Sequence, residues 1–408
     1  MLLRAKYVMP SSHELYENGA VRVAGDVIVD VGPFERLARD GAANALDLGE
    51  TALLPGFINA HTHLDLGGLA GQMPPPSSFT KWIRQLSAQR DTNPEAVHQT
   101  VKDGARASIE AGTTTLVDIS YTGHAYGALK ELPIRARAEF ETVQFDEKRC
   151  GEAAEILRKR VLNAESDPLT TVGVSPHAPY SVSAALYKRC VEMSMRRRLP
   201  ISSHVAETEE EERFLHDGGG PFADLLTDFG VDISGWKPPG KTPARYLHEL
   251  GFFEASPLIA HGNYIRNSDI PILRDLNITV VYCPRSHDYF GHGDHPFERL
   301  FSLGVNIALG TDSLASAPSL SMLDEMRFTA RKYPHIAPER ILTFATLNGA
   351  KTTRVAAKIG GLRAGWKADI VGLTAPNGKA RICDRLLDDE ARVVFTMING
   401  SVCHQLIG

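Results

Sequence analysis

Nowhere in the 408 residues is there an apolar run long enough to span a bilayer. The chain opens Met1-Leu2-Leu3 but meets Arg4 and Lys6 at once, so no signal-peptide core forms there. Basic charge is not in excess either: 44 Lys and Arg stand against 49 Asp and Glu, a net charge of −5. With no long basic stripe, a nucleic-acid partner is not expected. The triplet Arg196-Arg197-Arg198 is too short to alter that, and it suits a helix C-terminus, where the dipole favours positive charge. Cysteine is sparse. Cys150, Cys190, Cys283, Cys383 and Cys403 are scattered, with no C-x-x-C pair. That pattern indicates reduced, mostly buried thiols in a cytoplasmic protein rather than a disulfide framework. Internal repeats and low-complexity tracts are also missing.

What is present is enough apolar material for a sizeable core, at 43% hydrophobic and 23% charged residues. The length exceeds one usual domain, so a large domain with a smaller one is expected. Residues 1–53 read as short strands punctuated by Gly19, Gly25 and Gly32, and residues 359–408 read similarly around Ala368–Leu373 and Val393–Gly400. The two β-rich ends are expected to pair as one small domain. Between them, 54–358 alternates strands and helices. Strand candidates are 54–61, 113–119, 134–143, 171–175, 200–204, 258–261, 279–283 and 306–309. Helices are expected over 97–111, 151–163 and 183–198, the last with Ser183 as its cap. Eight strands separated by helices predict an α/β fold, a (β/α)₈ barrel. The Gly- and Pro-rich segment 218–250 reads as an insertion.

In such a barrel the chemistry collects at the C-terminal ends of the strands. The first strand ends in His61 and His63, two apart and so on one face. Alone, H-x-H is equally an ordinary polar strand edge. The other ends change its weight. Strand four runs into His177, five into His204 and Glu207, six into His261, seven into Ser286 and eight into Asp312. Histidines and acids gathered at strand ends are the pattern of a metal site.

These residues resemble the amidohydrolase superfamily. The matching pieces are Pro55-Gly-Phe-Ile-Asn-Ala-His-Thr-His63, His204-Val-Ala-Glu207, His261-Gly-Asn263, Gly310-Thr-Asp-Ser313 and Gly361-Leu-Arg-Ala-Gly-Trp-Lys-Ala-Asp-Ile-Val371. The resemblance implies a barrel plus a small β-sandwich built from both termini. It also implies a divalent metal, zinc before iron, held by His61, His63, His204 and Asp312. Binuclear members use a bridging group on strand four, often a carboxylated lysine, and Thr171–Pro179 contains no lysine. One metal is therefore expected, as in the mononuclear branch of adenosine-type, guanine and S-adenosylhomocysteine deaminases and triazine chlorohydrolases.

The implied roles are chemically coherent. Asp312 accepts the proton of the attacking water, and His261 is a second partner for that water. Glu207 protonates a ring nitrogen and passes the proton on to the departing amine. Each has an ordinary rival: Glu207 heads an acidic run with Glu209–Glu212 that would cap a helix and face water, His261 would be a core histidine, and Asp312 a helix cap. Asp65 is expected to support the first loop. His292 and His295 either line the pocket or belong to a structured polar loop.

His177, Trp82, Ser286 and Arg149 are the candidate substrate contacts. The Gly/Pro-rich loop 66–84 is a lid candidate, in which Phe79 and Trp82 either stack on a flat ring or anchor a helix. The wording of that loop and of Cys283–His292 resembles the aminodeoxyfutalosine deaminases of the alternative menaquinone pathway. That resemblance implies 6-amino-6-deoxyfutalosine as substrate, with Arg149 or Arg285 for its benzoate. The same mechanism on guanine, a triazine or a cyclic amide is the rival, and a metal-binding scaffold without catalysis is a third reading. The small-molecule substrate is the one partner the sequence implies; the oligomeric state is left open, a homodimer included.

Overall fold

The computed structural model describes residues 1–40, 45–353, 358–375 and 381–406. Its centre is a ring of parallel strands: β1 (Phe57–Thr62), β2 (Thr113–Ser120), β3 (Arg135–Thr142), β4 (Thr170–Pro176), β5 (Ser202–Val205), β6 (Leu258–His261), β7 (Thr279–Tyr282) and β8 (Asn306–Leu309). They pair in sequence order as two four-stranded sheets, β1 to β4 and β5 to β8. Parallel bridges join Val174 to Ile201 and Thr62 to Asp312, and these close the ring. The strands are buried almost throughout, as expected of a parallel sheet covered on both sides.

Helices between strands form the outer layer. Pro94–Glu110 starts at Asn93, whose side chain accepts from the backbone N–H groups of Glu95 and Ala96. Ala184–Arg197 starts at Ser183, which accepts from Leu186 N–H, and it closes at Arg198 in the left-handed region with Arg196 and Arg197 in its last turn. The Gly/Pro-rich insertion is not a bare loop; it carries the short helices Pro221–Asp228 and Pro243–Glu249. Among the described residues no helix is long and apolar enough to cross a membrane.

The terminal segments form one eight-stranded mixed sheet. Leu2–Ser11, Glu14–Ala24, Val27–Pro33, Ala45–Asp47 and Thr51–Pro55 come from the N-terminal part. Ile370–Thr374, Val393–Ile398 and Ser401–Gln405 come from the C-terminal part. The expected sandwich is thus a single hydrogen-bonded sheet that turns back on itself where Val27 bridges Lys367. Leu3, Val8, Val21, Ile28, Leu53, Ile370, Phe395 and Met397 fill its interior.

One expected strand is really two. The apolar run 54–61 is divided at Gly56: Thr51–Pro55 belongs to the terminal sheet and Phe57–Thr62 to the barrel. A Cβ at position 56 would lie 2.2 Å from the Thr114 side chain, so only glycine lets the chain pass from sheet to barrel there. The small-domain strands accordingly run two residues beyond 53.

Candidate active site

The β1–β8 seam sets the site. Asp312 N–H donates to His61 O at 3.1 Å, which brings the end of β8 against the first histidine. Gly310 permits this approach, because a Cβ there would stand 2.9 Å from both His61 Cβ and His61 O.

His61, His63 and His204 present ring nitrogens within 4.8 Å of one another. Their orientation is fixed from behind. His63 Nδ1 lies 3.0 Å from Ile119 O, and His204 Nδ1 lies 2.9 Å from His177 O. A carbonyl only accepts, so both rings carry their proton on Nδ1. Their Nε2 lone pairs then face each other at 3.1 Å. Two such lone pairs repel unless a cation lies between them. His61 is fully buried, and among the described residues neither of its ring nitrogens has a hydrogen-bond partner. Asp312 Oδ1 lies 3.7 Å from His61 Nε2 and 3.9 Å from His63 Nε2. Four ligands at ~2.0–2.1 Å in a tetrahedron stand roughly 3.3 Å apart, so this donor set fits one zinc-sized ion. Burial drives the pKa of His61 and of His204 well below the ordinary imidazole value, with the neighbouring histidines adding to it, so both are neutral donors.

The backing groups were not evident from the sequence. Ser286 was expected to touch substrate. It is instead 1% exposed and stands off the cavity wall, and its hydroxyl donates to Asp312 Oδ2 at 2.6 Å. Ser316 donates to the same oxygen at 2.9 Å. Together they hold the carboxylate and leave Oδ1 facing the histidine nitrogens, the kind of support that a carboxylate ligand of a metal receives.

Glu207 and His261 face each other, His261 Nε2 lying 3.5 Å from Glu207 Oε1. Burial, and then the charges of Asp312 and Glu211, push the Glu207 carboxyl well above the usual range. A shift in that direction favours the protonated form. Burial lowers His261 to about 4, so it is a neutral partner. The main chain of Glu207 is clamped at both ends. Its N–H donates to Glu211 Oε2 at 2.8 Å, and its carbonyl accepts from Asn263 Nδ2 at 2.9 Å. The acidic run 209–212 therefore does not all face water, because Glu211 is fully buried. Its signal in the sequence is Thr208-x-x-Glu211, a capping box. Thr208 caps the helix Glu209–Asp217 while Glu211 reaches back.

Three residues around this centre hold their backbones in the left-handed region without being glycine: Ala206 (φ 53°), His261 (φ 67°) and Asp312 (φ 59°). Such residues store strain, of order 1–3 kcal/mol each, and gather where the surrounding structure imposes them.

Above the centre opens a cavity of about 560 Å³. His177 and Trp82 line it, as expected. Phe79 and Trp82 lie on the helix Phe79–Gln89, which Ser78 caps, and Trp82 also packs edge-on against Phe290 with centroids 5.0 Å apart. They serve both as wall and as anchor. Arg149 is at the mouth, its side chain 62% exposed and 3.5 Å from Glu152. Arg285 is turned away: it pairs with buried Glu325 at 2.7 Å and bonds Ser319, so it does not reach a ligand. Asp65 accepts from Ser120 Oγ at 3.0 Å, consistent with a role in the loop. His295 lies off the cavity wall and braces the site instead, its Nε2 2.8 Å from His261 O. Glu141, which the sequence did not bring out, lies one residue before the end of β3, inside the cavity.

The buried acids and histidines predict a particular pH dependence of stability. Burial raises Glu211 to about 8 and Asp118 and Glu141 to about 7, against roughly 4 in an unfolded chain. The folded state then binds more protons than the unfolded one, so these groups lose their contribution as pH rises to their folded values. Burial lowers His287 to about 2, His292 to about 4 and His295 to about 3, against roughly 6.5 unfolded. Those groups make stability rise with pH up to about 6.5 and then stop contributing slope. The urea midpoint is expected to be highest on the weakly acidic side and to fall between about pH 6.5 and 8.5. A midpoint that is flat or rising over that interval would overturn the assignment.

The chain is similar to several known proteins. A family model described as the amidohydrolase family matches residues 52–403. A 5-methylthioadenosine/S-adenosylhomocysteine deaminase of Syntrophobacter fumaroxidans is 30% identical over 373 residues, 87% of this chain and 80% of that one. Two solved structures share the fold. An aminofutalosine deaminase of Helicobacter pylori, in complex with methylthio-coformycin, superposes with a TM-score of 0.86 at 22% identity, covering 98% of this chain and 99% of the other. An adenosine deaminase of Xanthomonas campestris with bound zinc gives 0.79 at 24%, covering 98% and 92%.

Proposed function

The chain belongs to the amidohydrolase family, and from that premise we propose that it is a mononuclear metal-dependent deaminase of an adenine-type nucleoside. The observation that carries this is Glu207: a buried carboxyl that lines the cavity 3.5 Å from His261, beside three clustered histidines and Asp312.

A divalent cation held by His61, His63, His204 and Asp312 supplies, when bound, a water acidic enough to lose its proton near neutral pH. Neutral imidazoles with a carboxylate favour zinc, and iron suits the same ligands. Asp312 Oδ1 takes the proton of the attacking water, while Ser286 and Ser316 steady the carboxylate through Oδ2. His261 holds the oxygen that adds to the ring carbon bearing the amino group. Glu207 gives its proton to the adjacent ring nitrogen, which makes that carbon electrophilic. As the carbon–nitrogen bond breaks, the proton held by Asp312 goes to the amine, and the hydroxyl on the carbon returns its own proton to the Glu207 carboxylate as it becomes the keto oxygen. The products are the keto nucleoside and ammonia.

Within that class we propose 6-amino-6-deoxyfutalosine as the substrate. Phe79, Trp82 and Tyr180 supply flat apolar walls, and Arg90 and Arg149 supply positive charge for a benzoate. The second reading is 5-methylthioadenosine or S-adenosylhomocysteine, on the strength of the relative that is 30% identical. Ammonia release from these nucleosides and from guanine, with substrate loss followed for a triazine and a cyclic amide, tests the proposal. Release from at least one adenine nucleoside is expected, with the futalosine derivative giving the highest kcat/KM. No ammonia from any aminopurine nucleoside would sink the reading, and turnover of guanine, triazine or cyclic amide alone would move the protein to another branch.

A further inference from the structure

Glu141 has no part in the chemistry above, yet it is built into the cavity. It lies one residue before the end of β3, is 6% exposed, and its Oε1 has no hydrogen-bond partner among the described residues. A buried carboxylate oxygen without a donor is costly, so the site is incomplete without something that donates to it. On the same wall stands His177, whose Nδ1 is 2.6 Å from Ser181 Oγ, leaving Nε2 for the cavity. Ligand-type atoms of Glu141, His177 and His204 lie within 4.8 Å of one another.

A second cation is the first alternative. His204 is already committed, with Nδ1 on His177 O and Nε2 facing His63. Glu141 and His177 alone are two ligands, too few for a structural or catalytic cation cage. A cationic ligand group is the second alternative, but the cavity already carries Arg90 and Arg149 near this wall. The remaining match is to neutral O–H donors. A carboxylate offers two oxygens, side by side, to two adjacent hydroxyls, and a neighbouring imidazole nitrogen adds a third polar atom.

We propose that Glu141, aided by His177, is the sugar-reading residue of this cavity and takes the vicinal diol of the nucleoside substrate. The proposal rests on the nucleoside reading. A pocket built to bond a substrate hydroxyl discriminates strongly against analogues that lack it, because its own polar group is then left unpaired.

The test is a cycle between residue and hydroxyl. Wild type, Glu141→Gln and Glu141→Ala are assayed on 5′-methylthioadenosine and its 2′-deoxy and 3′-deoxy forms. Calorimetric binding of inosine and 2′,3′-dideoxyinosine, and zinc content, are measured alongside. Wild type is expected to favour the ribose form by about 10⁴-fold in kcat/KM. Both variants should lose most of that preference, because the ribose substrate suffers far more than the deoxy ones, with zinc unchanged at one per chain. Equal losses on all substrates would overturn the proposal, as would two metals per wild-type chain falling to one in Glu141→Gln. Failure of the nucleoside reading looks different: wild type neither binds inosine nor releases ammonia from any adenine nucleoside, and the proposal falls with it.

Discussion

Glu207→Gln is expected to lower kcat by about 10³-fold while the protein still binds one metal, since general acid–base groups commonly contribute 10²–10⁴-fold. The substitution keeps the shape of the side chain and can still offer a hydrogen bond, but it has no proton to transfer. Nothing else in the site should move. Glu207 is not among the metal donors, and its main chain is held through its own N–H and carbonyl by Glu211 and Asn263, which the variant retains. The loss should therefore fall on kcat rather than KM, the mark of an interaction made in the transition state. Removing the buried acid also removes the proton donor that faces His261 at 3.5 Å, so the alkaline limb of the pH–rate profile should flatten. Activity close to wild type, with the metal in place, would rule out Glu207 as the proton carrier.

His61→Ala is expected to abolish both metal binding and turnover. His61 is the most enclosed donor, fully buried, and among the described residues both of its ring nitrogens lack a hydrogen-bond partner, so its removal takes away a donor held in place for the ion. Even groups that only support a metal ligand cost 10–100-fold in affinity when lost, so a ligand itself should cost more than about 100-fold. A chelator should lower the melting temperature of the wild type and leave the variant unmoved, because only the wild type is stabilised by a bound ion. Elemental analysis showing unchanged metal content in His61→Ala would overturn the donor set.

The barrel and the centre were largely legible because both leave local marks. Each strand is a short apolar run, and each chemical residue falls at the end of one, where the fold places it. His61 and His63 share a face by strand geometry alone. What escaped the sequence depends on contacts between distant segments. The run 54–61 is continuously apolar, and only the packing of Gly56 against Thr114 divides it. Ser286 lies just past β7, which suggested the pocket, but the short helix Pro284–Tyr289 turns its hydroxyl onto Asp312. Glu141 sits in Arg135-Ala-Arg-Ala-Glu-Phe-Glu-Thr142, where charged residues alternate with apolar ones. In an isolated sheet such alternation marks a wet face; in a closed barrel the same face points inward. Glu211 was hidden within an acidic run whose other members do reach solvent.

The left-handed backbones at Ala206, His261 and Asp312 bear on how this sequence can drift. On the proposed mechanism the side chain is the chemistry at two of these positions, so glycine, the residue most at ease there, is unavailable to a lineage that keeps its activity. Selection for heat resistance alone would find relief at just these sites, and each relief would erode turnover. Lineages that become more robust must therefore do so in the outer helices and the terminal sheet, and the strand-end loops should be the last part of the molecule to change.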